Sequence, residues 1–162
     1  MIENGLSQSV IGRGQENGII NIKAINIRDF TKDKHKSVDD YPYGGGCGMV
    51  MQPQPIYDAY KSIQCKRKAR VVYMTPQGRP FTQAVAEELS KEEELIILCG
   101  HYEGVDERII DEIVTDEISI GDFILTGGEI AAMAVIDAVA RLKPGVLGKE
   151  ESFKMRVLVT TL

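Results

Sequence analysis

The sequence predicts an α/β fold in which a parallel sheet is flanked by helices. Three observations predict it. Val71-Val72-Tyr73 and Leu95-Ile96-Ile97-Leu98 are apolar runs without alternation, as in strands covered on both faces. Helical segments follow these runs, so strand and helix alternate through the middle of the chain. Each run also leads into a loop that contains glycine.

In chain order, residues 7–17 read as a short helix. Residues 19–27 alternate, with Ile20, Ile22 and Ala24 set against Asn21 and Lys23, which is strand spacing. Residues 28–50 form a long polar stretch, and a loop of that length in a compact domain is usually functional or mobile. Residues 54–63 read as a helix and 70–74 as a buried strand, followed by a turn at Thr75-Pro76-Gln77-Gly78. A helix at 82–90, a strand at 94–99, a helix at 105–113 and a short strand at 117–120 follow. Residues 128–142 are apolar on several faces, which predicts a largely buried helix.

A chain of 162 residues is one domain by size, long enough to bury a core without staples. With 43% hydrophobic and 27% charged residues, it is neither disordered nor fibrous. The net charge of −5 argues against binding nucleic acid by overall charge. Any RNA partner must therefore meet a local basic patch, such as Lys61, Lys66, Arg67, Lys68 and Arg70, or a segment outside this sequence. Cys47, Cys65 and Cys99 are odd in number and form no Cys-x-x-Cys, so single buried cysteines in a reducing cytosol are expected. Residues 1–5 have neither the basic flank nor the apolar core of a secretion signal. The apolar stretch 130–140 contains Asp137 and is too short to span a bilayer.

Ligands of parallel sheets bind beyond the carboxyl ends of the strands, which points to the loops at 75–78, 100–104 and 121–128. Their glycines let backbone approach a ligand and leave amides free to donate. No Gly-x-Gly-x-x-Gly and no Walker sequence is present, so dinucleotide hydride transfer and phosphoryl transfer lose support. His35 and His101 are the only histidines, His35 lies in the solvated run 32–36, and no metal-ligand cluster stands out.

Several segments, in order, are more specific. They are Asn26-Ile27-Arg28-Asp29, Asp39-Asp40-Tyr41-Pro42-Tyr43-Gly44-Gly45-Gly46 and Leu98-Cys99-Gly100-His101-Tyr102-Glu103-Gly104. Ser119-Ile120-Gly121-Asp122, Leu125-Thr126-Gly127-Gly128-Glu129 and Ala138-Val139-Ala140-Arg141 complete the set. Together they resemble the bacterial tRNA (guanine-N1)-methyltransferases over residues 7–153. The resemblance implies a SPOUT-type α/β fold with a C-terminal trefoil knot, and a cytoplasmic homodimer with its active site at the interface. It implies S-adenosyl-L-methionine as cofactor and tRNA as substrate, methylated at N1 of the guanosine 3′ of the anticodon.

By motif, the cofactor pocket would be lined by Tyr73, Met74, Thr75 and Pro76, and by Gly100, His101, Tyr102 and Glu103. Ser119, Ile120, Gly121, Asp122, Phe123, Ile124, Leu125, Thr126, Gly127 and Gly128 would complete it. Backbone at Gly100, Ile120 and Leu125 would hold the adenine and ribose end, and Gly44, Gly45, Gly46 and Gly48 would sit near the target base. Guanine N1 carries a proton at neutral pH, so methylation needs a general base, typically contributing about 10²- to 10⁴-fold. A cation near O6 would stabilise charge as that proton leaves. Arg141 matches the family's catalytic arginine, and Glu151 stands where the family has a linker aspartate before Ser-Phe. A divalent ion is associated with the family, but no dedicated ligands are apparent.

Both ends depart from the family. The family opens with an apolar strand and a Phe-Pro-Glu-Met segment, whereas this sequence begins as though at that methionine. Residues 1–148 are then a knotted domain lacking its first strand, which should be central. The lost burial, about 1.5–3 kcal/mol for each large side chain, predicts marginal stability and association through an exposed sheet face. Residues 149–162 read as a linker remnant and an aberrant tail, consistent with a frameshift near residue 154. The C-terminal tRNA-binding domain is absent from this sequence, which would weaken tRNA binding. Three outcomes stay open: an active methyltransferase, a truncated dimer that binds the cofactor without methylating, and a non-functional fragment.

Overall fold

A computed structural model describes residues 1–42, 44–45, 47–101, 103–147 and 155–162. Helices α1 (Ile2–Gly5) and α2 (Ser9–Glu16) lead into strand β1 (Ile20–Asn26). A 3₁₀ turn, Ile27–Phe30, opens the long polar stretch, with Asn26 accepting the Arg28 amide as its cap. That stretch then folds into a short antiparallel pair, β2 (Asp39–Asp40) and β3 (Val50–Met51), with the glycine loop at its tip. Helix α3 (Pro53–Ser62), strand β4 (Arg70–Pro80), helix α4 (Gln83–Ser90) and strand β5 (Glu94–Cys99) follow. Helix α5 (Glu107–Ile113), strand β6 (Asp116–Ser119), helix α6 (Glu129–Ala140) and strand β7 (Met155–Thr161) complete the order.

The main sheet runs β1-β7-β5-β4-β6, and every neighbouring pair in it is parallel. The period-2 alternation of the strands explains its two covered faces. Leu95, Ile97 and Cys99 of β5 pack with Val85, Leu89, Val135 and Ile136 of α4 and α6. Leu98 packs on the other side with Ile56 and Ala59 of α3 and Ile109 and Ile113 of α5. Helix α4 has the Thr82 hydroxyl as its cap, accepting the Val85 amide, and α5 has the Asp106 carboxylate, accepting the Arg108 amide. Both are side-chain caps of the preferred kind.

Two expectations are corrected here. The turn at residues 75–78 is a bulge within β4: pairing with β6 shifts between Met74 and Arg79, so one stretch of strand is looped out and the ladder then resumes. A Cβ on Gly78 would lie 2.5 Å from the Glu117 carbonyl carbon, which explains a glycine there. The second correction concerns residues 155–161, which stand in the middle of the sheet. Residues 155–161, read as part of an aberrant tail, are β7, paired with β1 on one side and β5 on the other. Met155, Val157 and Val159 face the α6 side, Leu158 faces the other, and the buried Thr160 hydroxyl bonds the Ile97 carbonyl at 3.2 Å. The exposed sheet face behind the expected instability is therefore filled. Residues 149–154 lie outside the described residues.

The cysteines also differ from expectation. Cys99 is buried, Cys65 is half-buried and Cys47 is exposed. No helix among the described residues is long and apolar enough to cross a membrane.

Candidate active site

Helix α4 crosses one face of the sheet and α5 the other, so the chain reverses direction around β4 and β5. That reversal opens a crevice at the carboxyl ends of β4, β5 and β6. A cavity of about 450 Å³ occupies it, the size of a small-molecule site. Its walls are residues 73–76 of β4, Gly100, His101 and Glu103 after β5, and residues 119–121 and 123–128 after β6. These include most of the residues expected there. Asp122 is exposed and does not line the cavity, and Tyr102 lies outside the described residues. Sequence reasoning passed over Val105, Glu107, Ile110, Glu117, Ile118 and Ala131, which also line it. Glu107 and Glu117 sit at the starts of elements whose boundaries, once known, would have placed them at the rim.

Close packing explains the glycines. The Gly128 amide bonds the Gly100 carbonyl at 3.0 Å, and a Cβ on Gly128 would lie 2.9 Å from the Cys99 Cα. A Cβ on Gly127 would lie 2.7 Å from the His101 ring. The start of α6 thus presses directly on the loop after β5. In the loop after β6, the Ser119 hydroxyl bonds the Gly121 carbonyl at 2.9 Å, closing a tight turn.

The glycine hairpin tip reaches the same place. Gly48 has a φ of +115°, and a Cβ there would run into the Glu103 side chain. The Glu103 amide bonds the Met49 carbonyl at 3.0 Å, and the Met51 amide bonds the Gly104 carbonyl at 3.0 Å. Gly44 and Gly45 also have positive φ, while Gly46 lies outside the described residues.

The electrostatics are one-sided. Glu103, Glu107 and Glu117 line the cavity, and no lysine or arginine does among the described residues. Tyr73 is buried in its floor, and desolvation raises its phenol above the usual range. Beside the cavity, the Glu129 carboxylate accepts from His101 Nε2 and from the Thr161 hydroxyl of β7. Burial opposes its charge, but those bonds outweigh burial and hold Glu129 below the usual carboxylate range. No group of three or more metal-ligating side chains is gathered among the described residues.

One expected catalytic residue is not gathered at the cavity among the described residues. Arg141 is exposed at the far end of α6, and twelve residues of helix span about 18 Å. Glu151 lies outside the described residues. The basic run 66–70 flanks a second cavity at the amino end of β4, the opposite edge of the sheet. Arg70 is held there by Asp116 and Glu88.

With this geometry in hand, similarity to known proteins is informative. The pattern of the tRNA (guanine-1)-methyltransferase TrmD family matches residues 1–160, a span that includes most of β7. A tRNA (guanine-N(1)-)-methyltransferase of Caldicellulosiruptor saccharolyticus is 63% identical over 149 residues, covering 90% of this chain and 61% of the relative. One from Ruminiclostridium cellulolyticum is 61% identical over 150 residues, covering 91% and 64%. One from Alkaliphilus oremlandii is 58% identical over 161 residues, covering 95% and 65%. The chain spans just over three fifths of the length of these relatives.

Proposed function

The chain belongs to the tRNA (guanine-1)-methyltransferase family, and on that premise we propose that it methylates N1 of the guanosine 3′ of the anticodon in tRNA, using S-adenosyl-L-methionine. The observation that carries the reading is the character of the cavity: glycine walls, three carboxylates, and no lysine or arginine among the described lining residues. A site of that charge disfavours phosphate-bearing ligands and suits a compact cation. S-adenosylmethionine fits, since it carries a sulfonium and an ammonium against a single carboxylate, a net positive charge, and no phosphate. Gly100, Gly127 and Gly128 form a cradle that side chains would fill.

When bound, this cofactor supplies an electrophilic methyl group. The chain's own residues do the rest. Backbone groups at Gly100, Ile120 and Leu125 hold the adenine and ribose end, and the buried Tyr73 closes the floor. The hairpin tip at Gly44, Gly45 and Gly48, locked to Glu103, borders the space above the pocket where the guanine would enter. The acceptor's N1 proton must leave before attack. Glu151 is the residue in the position of the family's linker carboxylate.

Arg141, about a helix length from its own pocket, acts at the pocket of a second copy, where it steadies charge on the guanine O6. Phe123, Ile124 and Ile130 expose apolar side chains beside the cavity, with Ile124 89% accessible. An apolar cluster of that kind supports a homodimer built across this edge. The trefoil knot belongs to the same reading of the fold.

Calorimetry with S-adenosylmethionine, beside methyl transfer to an unmodified tRNA transcript, tests the proposal. Saturable binding and transfer are expected, with transfer abolished when the target guanosine is replaced by adenosine. Binding without transfer would reduce the chain to a cofactor-binding dimer, and absence of binding would refute the reading of the cavity.

A further inference from the structure

Glu129 is a buried charge that the catalytic proposal leaves unused. It is 9% exposed at the first position of α6, directly after the glycine pair that walls the cavity. Its Oε1 receives two donors from different elements, His101 Nε2 of the loop after β5 and Thr161 Oγ1 at the end of β7. An ionised carboxylate only accepts, so the His101 ring carries a proton on Nε2. Around this junction, His101 bridges Gly127 in an antiparallel β-bridge, the Gly128 amide bonds the Gly100 carbonyl at 3.0 Å, and the Gly104 amide bonds the His101 carbonyl at 3.2 Å.

We propose that Glu129 is a positioning residue: through His101 and Thr161 it ties the loop at 100–104 to α6 and β7, fixing the backbone that lines the cavity. The inference rests on the reading of that cavity as the S-adenosylmethionine site. A loop of glycines has many conformations open to it, and ordering it costs entropy on each binding event. One carboxylate bonded across three elements removes that freedom in advance. Glu129 touches the loop and not the reacting atoms, so it is not a catalytic residue.

The test compares the wild-type chain with Glu129→Ala, Glu129→Gln and Thr161→Val. Amide hydrogen exchange is followed without ligand, and S-adenosylmethionine binding is measured by calorimetry. In Glu129→Ala, the Gly104 and Gly128 amides are expected to exchange at least about tenfold faster, while those of Ile97 and Leu98 in β5 keep their protection. The Kd is expected to rise about tenfold, as for loss of a hydrogen-bond junction at a charged group. Glu129→Gln keeps the accepting oxygen and should fall between, and Thr161→Val, which removes one bond of the two, should show the milder form of the same pattern.

Unchanged loop exchange in Glu129→Ala overturns the proposal. So does faster exchange spread evenly over β5 in Glu129→Ala and Thr161→Val alike, because that marks a general stabilising role. Localised loosening in a chain whose wild type does not bind S-adenosylmethionine would uphold the junction and refute the cofactor reading instead.

Discussion

Asp116, at the start of β6, holds two arginines at once. Its Oδ1 lies 2.6 Å from Arg70 Nη2 and 3.1 Å from Arg79 Nη2, and the Thr115 hydroxyl bonds its Oδ2 at 2.6 Å. Burial works against its charge, but these partners outweigh burial and its pKa lies below the ordinary carboxylate value. Asp116→Asn is therefore expected to cost about 1–3 kcal/mol in urea denaturation near neutral pH, by leaving Arg70 half-buried without its main partner. A carboxylate with a depressed folded pKa stabilises fully above its unfolded value, about pH 4, and loses that contribution as pH falls further. The gap between wild type and Asp116→Asn should thus narrow steadily below about pH 4. Gly128 gives a second expectation at this scale. Gly128→Ala places a methyl 2.9 Å from the Cys99 Cα, a backbone atom that cannot yield. The variant should fold and lose affinity for S-adenosylmethionine by about tenfold or more, measured by calorimetry.

Among the elements, β7 carries the most consequence. It is paired on both sides and packed on both faces. Leu158→Ala is expected to cost about 2–5 kcal/mol, whereas Lys23→Ala on the exposed face of β1 should stay within about 0.5 kcal/mol, both by denaturant titration. The other strands of the main sheet were legible because their signal is local. Residues 95–99 are an unbroken apolar run and 20–24 an alternating one, so element type and approximate bounds follow from period alone. The cavity loops were legible for the same reason, since a glycine after a buried strand marks a carboxyl end. What escaped was non-local. Met155–Thr161 reads as a strand by its own residues, but the resemblance had already assigned the central place to a segment ahead of Met1. The Glu129–Thr161 bond is invisible for that reason, because only the finished sheet brings residues 129 and 161 together. The bulge at 75–78 was mistaken for a turn because Pro76 and Gly78 are turn residues, and only pairing with β6 shows the strand resuming.

For the whole molecule, the distance between Arg141 and its own cavity makes a specific demand. If each pocket takes its arginine from a second copy, Arg141→Ala and Gly128→Ala should complement each other. Co-expression should then restore up to about a quarter of wild-type methyl transfer at S-adenosylmethionine concentrations too low to fill the Gly128→Ala pocket, where each variant alone is depleted, since half the dimers are mixed and each has one intact site. No restoration would place Arg141 outside the partner's pocket. The sheet's strand order has a different consequence, in the making of the protein. β1 and β5 cannot be joined until residues 155–161 have left the ribosome, although every other strand has emerged by then. Two parallel edges with unpaired amides and carbonyls therefore wait open from the completion of β5 until β7 emerges, the condition under which nascent chains associate wrongly. Slow decoding anywhere between β5 and β7 would lengthen that exposure. Yield of soluble protein should therefore depend on translation speed in that stretch and on chaperones that shield sheet edges.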